Sequence, residues 1–151
     1  MPGGFRRLAA RTGLALTELK LRLVPPKERH QFVIVSAVRD MEQFIRRHID
    51  SVFSQDYPKD RYNHLIVDDA STDATSDLIE LFIGDNPGCN VEHRKNAERR
   101  GGCANLTRGF RSAPPESIVI QLDGDDWLPN RSVLSFLNLV YQDPKVWTTY
   151  N

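Results

Sequence analysis

Two short clusters of carboxylates hold the chemistry readable in this chain. Asp68-Asp69 closes the run His64-Leu65-Ile66-Val67, and Asp123-Gly124-Asp125-Asp126 closes the run Ser117-Ile118-Val119-Ile120-Gln121-Leu122. Like charges crowded together repel, so such clusters need water, hydrogen-bond donors or a cation to relieve them. Carboxylates are hard oxygen ligands, and one or two of them with phosphate oxygens and water suit Mg2+ or Mn2+. Blander meanings compete. Asp-Gly is a common turn pair, and Ala70-Ser71-Thr72-Asp73 has the composition of a helix cap. Each cluster nevertheless follows an apolar run and precedes a helical pattern, which favours a site, and a capped helix N-terminus itself attracts anions.

The elements that must position these acids follow from hydrophobic periodicity. Phe32-Val33-Ile34-Val35 reads as a buried strand, and Met41, Phe44, Ile45, Ile49, Val52 and Phe53 recur at steps of three and four as an amphipathic helix. His64–Val67 is a second strand, and Leu78, Ile79, Leu81 and Phe82 mark a second helix that ends at the turn Asp85-Asn86-Pro87-Gly88. A weaker strand at 90–93, a helix at 103–112 stopped by Pro114-Pro115, a strand at 117–122 and a helix opened by Pro129 come next. Residues 146–150 are expected as a fifth strand. Strands alternating with helices predict an α/β fold, with a mainly parallel sheet covered on both faces. In such a sheet ligands bind beyond the carboxyl ends of the strands, here near Ser36, Asp69, Arg94 and Asp123.

Composition narrows the class. With 151 residues, 40% hydrophobic and 26% charged, the chain is too apolar for a disordered tail, too charged for a membrane bundle and long enough for one domain. It contains no run of about 18 apolar residues and no secretory signal pattern, so a cytoplasmic location is expected. Cys89 and Cys103 are too few for a disulfide framework and read as reduced. The net charge of zero divides unevenly. Seven basic and two acidic side chains leave residues 1–30 at +5, and the remainder stands at −5. Residues 1–30 are therefore read as a basic extension ahead of a body at 31–151. Within the extension, residues 5–23 carry a basic amphipathic pattern interrupted by Gly13, which suits either a peripheral membrane contact or a solvated or packed extension. No nucleic-acid partner is expected.

Taken in order, the motifs of residues 32–151 resemble the inverting glycosyltransferase family 2, whose catalytic domain has the GT-A fold. The helix ends in Asp50-Ser51-Val52-Phe53-Ser54-Gln55-Asp56-Tyr57, and the next strand in Val67-Asp68-Asp69-Ala70-Ser71-Thr72-Asp73. Asn96, Gly101-Gly102 and Ala104-Asn105 follow, and then the Asp-x-Asp of Asp123-Gly124-Asp125. The resemblance implies a metal-dependent transfer from a nucleotide-diphospho-sugar, UDP-sugars being the commonest donors in the family. The acceptor it implies is a saccharide, lipid-linked or protein molecule, as in cell-envelope polysaccharide biosynthesis. It implies that Asp68 and especially Asp69 hold base and ribose, with Ser71, Arg100, Gly102 and Gly124 beside them. It further implies that Asp125 holds the Mg2+ or Mn2+ ion, with Asp123 supporting the ribose or metal. Arg99, like Arg100, stands beside Gly101-Gly102, where it suits either a cationic contact to phosphate or a solvated loop.

Two departures from the family pattern stand out. Ser36-Ala37-Val38-Arg39 replaces the usual Pro-Thr-x-Asn, leaving Ser36 as the candidate contact at the first strand end. The catalytic base and the acceptor-reading half have no counterpart before Asn151, so the expectation is a donor half that does not transfer sugar by itself. A receiver-type signalling domain would need its acid pair after the first strand, and an Asp-x-Asp phosphatase would need its motif there. The alternative of a different kind is a non-catalytic nucleotide-sugar-binding or scaffolding module.

Overall fold

The computed structural model describes residues 28–149. Four strands form one sheet: β1 (Phe32–Val38), β2 (Tyr62–Asp68), β3 (Val91–Lys95) and β4 (Ile118–Gln121). Their order is β3-β2-β1-β4, and every pairing is parallel. Between them run helices α1 (Ile45–Phe53), α2 (Thr75–Asp85) and α3 (Gly102–Ser112), and α4 (Val133–Val140) follows β4. This is the α/β, GT-A-like arrangement expected from the sequence. β1 and β2 are nearly continuous apolar runs because both of their faces are covered.

Alternation along the strands assigns the two faces. Val38 and Ile66 join Ile45 and Ile49 of α1 and Ile79 and Phe82 of α2 in one buried cluster. On the opposite face Val35 and Leu65 meet α3 at Gly109, where an added Cβ would fall 2.4 Å from Val35 Cγ1. Glycine at 109 is therefore a packing requirement: it lets the helix backbone approach the sheet.

Compact packing divides the chain into two units. One is His30–Leu134, which contains the sheet; the other, among the described residues, combines 28–29 with 135–149. In the described part of the second unit, Asn138 Nδ2 and Gln142 Nε2 both donate to the Glu28 carbonyl. The basic pattern expected at 5–23 lies outside the described residues. The fifth strand is a correction. Val146 N–H closes a turn on the Asp143 carbonyl, Trp147 is 89% exposed, and residues 146–149 join no ladder; Tyr150 is outside the described residues. Apolar and β-branched residue types alone do not make a strand, because strand preference is set by context more than by the residues themselves.

Candidate functional site

The site rim begins where β1 and β2 end. Asp40 and Ala70 both adopt left-handed φ values, 51° and 58°, which turn each chain sharply out of its strand. The two turns are laced together. Arg39 Nη1 donates to the carbonyls of Asp69 and Ala70, Asp40 N–H to Ser71 Oγ, Met41 N–H to Thr75 Oγ1, and Thr72 N–H to Asp40 Oδ1. Expected as part of a continuous helix, residues 41–44 instead form a turn: Met41 and Glu42 N–H bond to Thr75 Oγ1 and Asp73 Oδ2 of the neighbouring loop, Phe44 N–H closes back on the Met41 carbonyl, and α1 starts at Ile45.

The acid pair is split by the alternation of the strand. Asp68 lies on the α1–α2 face, fully buried, where Oδ1 accepts Ser71 N–H at 2.8 Å and Oδ2 accepts the Ser76 hydroxyl at 2.8 Å. Asp69 faces the other way, toward the start of α3. Its Oδ1 accepts Arg100 N–H at 2.7 Å and the Asn96 amide at 3.1 Å, and its Oδ2 accepts Gly101 N–H at 2.9 Å. Burial alone raises the Asp69 pKa. The Arg100 N–H, the Asn105 amide, the Gly101 N–H and the Asn96 amide outweigh it and hold the group at about 2, against a usual 3.8. The Asn105 nitrogen contributes by proximity, since it makes no well-formed hydrogen bond. Gly101, at φ 87°, is the glycine this turn requires.

The acidic loop after β4 is held from the side by α1. His48 Nδ1 donates to the Asp126 carbonyl at 2.7 Å, and Leu128 N–H donates to Ser51 Oγ at 3.0 Å. Gln55 Nε2 donates to the Asn130 carbonyl at 2.6 Å, while its Oε1 accepts Leu134 N–H at 3.1 Å. Arg131 Nε returns a bond to the Ser54 carbonyl, and the Arg47 guanidinium sits 3.4 Å from the centre of the Trp127 ring. Gly124 is buried against Val38, whose Cγ1 would lie 2.9 Å from an added Cβ. Asp123, Asp125 and Asp126 stay exposed, and Asp123 accepts from Gln121 Nε2.

Of the residues expected to act, Asp69, Ser71, Arg100 and Gly102 come together at the carboxyl edge beyond β2, and Asp123, Gly124 and Asp125 at the same edge beyond β4, with β1 between them. Ser36 is not brought to the rim: it is fully buried beneath α1. Sequence reasoning missed His48 and did not recognise Ser51 and Gln55 as the clamp on the acidic loop. Among the described residues, no three His, Cys, Asp or Glu side chains converge into a metal cage. Two exposed carboxylates on one short loop instead fit a cation that takes its remaining oxygens from phosphate and water.

A family model described as glycosyl transferase family 2 matches residues 32–150. The chain belongs to that family. It is 28% identical over 109 residues to the dolichyl N-acetyl-alpha-D-glucosaminyl phosphate 3-beta-D-2,3-diacetamido-2,3-dideoxy-beta-D-glucuronosyltransferase of Methanococcus voltae, a match covering 70% of this chain and 33% of the relative. Among solved structures it resembles S. aureus TarS in complex with UDP-GlcNAc, with TM-score 0.64, 24% identity, and coverage of 72% of this chain and 30% of that one. It also resembles the mannosyltransferase PcManGT of Pyrobaculum calidifontis in complex with GDP-Man and Mn2+, with TM-score 0.70, 24% identity, and coverage of 94% and 43%. The family-2 chain thus spans about a third of its curated relative's length, and the structural likenesses establish its GT-A fold.

Proposed function

We propose that this chain forms the nucleotide-sugar-binding part of a glycosyltransferase that moves a sugar from a nucleotide-diphospho-sugar to an acceptor with inversion. The observation that carries the reading is the pair of loops flanking the end of β1. One is organised around Asp69, and the other presents Asp123 and Asp125. Asp125, with Asp123 beside it, would hold Mg2+ or Mn2+, and the ion would offset the charge that builds on the leaving diphosphate. Asp69 and Ser71 lie on the side where base and ribose would sit, and Arg100 and Gly102 extend that side toward the phosphates. Asp68 serves from beneath by shaping the turn through Ser71 and Ser76. UDP-sugars are the first donor class to examine and GDP-mannose the second, following the ligands named for the two structural neighbours.

Calorimetry with UDP-GlcNAc and GDP-mannose, each with and without Mn2+, tests the proposal. The expected result is binding that Mn2+ strengthens at least about tenfold, with that increment lost in Asp125→Asn. Absence of binding by both donors, or binding indifferent to Mn2+ and to Asp125, would overturn it. The lipid-linked substrate named for the M. voltae relative supports a lipid-linked acceptor, and a peripheral contact of residues 5–23 with the cytoplasmic membrane face accords with it. Co-sedimentation with anionic liposomes, lost when residues 5–23 are removed, checks that contact.

A further inference from the structure

We infer that His48 is a positioning residue for the acidic loop, holding Asp126 at the end of a one-way hydrogen-bond chain that starts at His64 and passes through Ser36. Three polar side chains that are fully buried, Ser36 of β1, His48 of α1 and His64 of β2, meet inside the α1 face of the sheet. Ser36 Oγ lies 2.9 Å from His48 Nε2 and 3.0 Å from His64 Nε2, and the two Nε2 atoms are 3.3 Å apart.

The direction of every proton follows from the fixed end. A carbonyl only accepts, so the 2.7 Å contact with Asp126 requires the proton of His48 on Nδ1. Burial lowers the pKa of both rings, His64 well below its ordinary value, so each imidazole is neutral and His48 Nε2 is a bare acceptor. The Ser36 hydroxyl must then donate to His48, since two lone pairs would otherwise face each other at 2.9 Å. His64 in turn donates Nε2–H to Ser36, which leaves its Nδ1 as a bare lone pair. That atom is buried and without a hydrogen-bond partner, which suits an unprotonated nitrogen. The opposite tautomer would strand a buried N–H there, a rarer defect than an under-used acceptor.

The chain therefore joins β2, β1, α1 and the loop after β4 through side chains whose roles are all determined. Its consequence for ligand binding rests on the function proposed above, because the same loop carries Asp123 and Asp125. Ser51 and Gln55 hold the loop further along, from Leu128 to Leu134, while His48 alone of these three residues grips it at the acidic cluster.

Long-range proton–nitrogen spectra of the full chain test the direction of the chain. His48 should show a protonated Nδ1 and a bare Nε2, and His64 the reverse. Two variants test the positioning. His48→Leu removes the donor, whereas the Asn side chain of His48→Asn presents an N–H group where Nδ1 stood. Amide exchange at Asp126 and Leu128 should accelerate about tenfold or more in His48→Leu, while the β2 amides of Leu65 and Ile66 change less. In His48→Asn it should stay within about threefold of the parent. The Mn2+-dependent part of nucleotide affinity should fall about tenfold in His48→Leu, with metal-free affinity unchanged. Reversed tautomers, unaltered loop exchange in His48→Leu, or loop exchange rising only in step with β2 would overturn the inference. Should the parent chain bind no nucleotide, the proposed function fails, and the tautomers and exchange rates still decide this point.

Discussion

Replacing Asp69 by Asn probes the turn on which the candidate site is built. The carboxylate presents one oxygen to Arg100 N–H at 2.7 Å and the other to Gly101 N–H at 2.9 Å. An amide of the same shape keeps one acceptor and turns an NH2 group toward the remaining N–H. The loss is one hydrogen bond to a charged acceptor, about 1.5–3 kcal/mol. The lowered pKa expresses these same contacts as a free energy. The drop from 3.8 to about 2 corresponds to roughly 2.4 kcal/mol, which solvent near the rim of the sheet reduces to about 1–2 kcal/mol. A cost of about 2 kcal/mol predicts a Tm lower by roughly 4–8 °C at pH 7. Since the folded pKa lies below the unfolded one, ionised Asp69 stabilises the fold above about pH 4, and this contribution fades as pH falls toward 2. Thermal and urea unfolding of both proteins at several pH values is the assay. Equal stability at pH 7, or a difference that stays constant down to pH 2, would refute this account of the turn.

Three further outcomes follow from the packing. Gly109→Ala should cost about 1–3 kcal/mol in urea unfolding, because the new methyl carbon would fall 2.4 Å from Val35 Cγ1 and force α3 off the sheet. Gln55→Leu should cost about 2 kcal/mol and speed amide exchange at Leu134, since that N–H and the Asn130 carbonyl both lose their partner. Gly124→Ala should weaken Mn2+-dependent nucleotide binding more than it lowers stability, as the displaced loop is the one bearing Asp123 and Asp125; calorimetry beside thermal unfolding separates the two effects.

Much of the architecture was legible in the chain because local periodicity reports burial. β1 and β2 bury both faces and read as apolar runs, and the steps of three and four in α1 mark the face that meets Val38 and Ile66. The acidic clusters were legible for a related reason: charge that follows directly on an apolar run marks a strand leaving the core. Other features were opaque. β3 exposes Glu92, Arg94 and Lys95 and so gave only a weak pattern, and its boundaries shifted from 90–93 to Val91–Lys95. Residues 146–150 have strand composition, but those described join no ladder, since Val146 N–H is taken up in a turn on the Asp143 carbonyl.

By itself the sequence determined the order of strands and helices, the family, and the two loops at which acids gather, because these depend on residue types along a short stretch of chain. Only the tertiary structure decided what each acid does. Asp68 and Asp69 are neighbours of identical chemistry. Strand alternation sends one beneath the sheet to Ser76 and the other to the start of α3, partners that lie 8 and about 32 residues away in the chain. The same holds for Ser36, His48 and His64. Each looks like an isolated polar residue in an apolar element until folding joins all three side chains and sets His48 against the carbonyl of Asp126, 78 residues further along the chain.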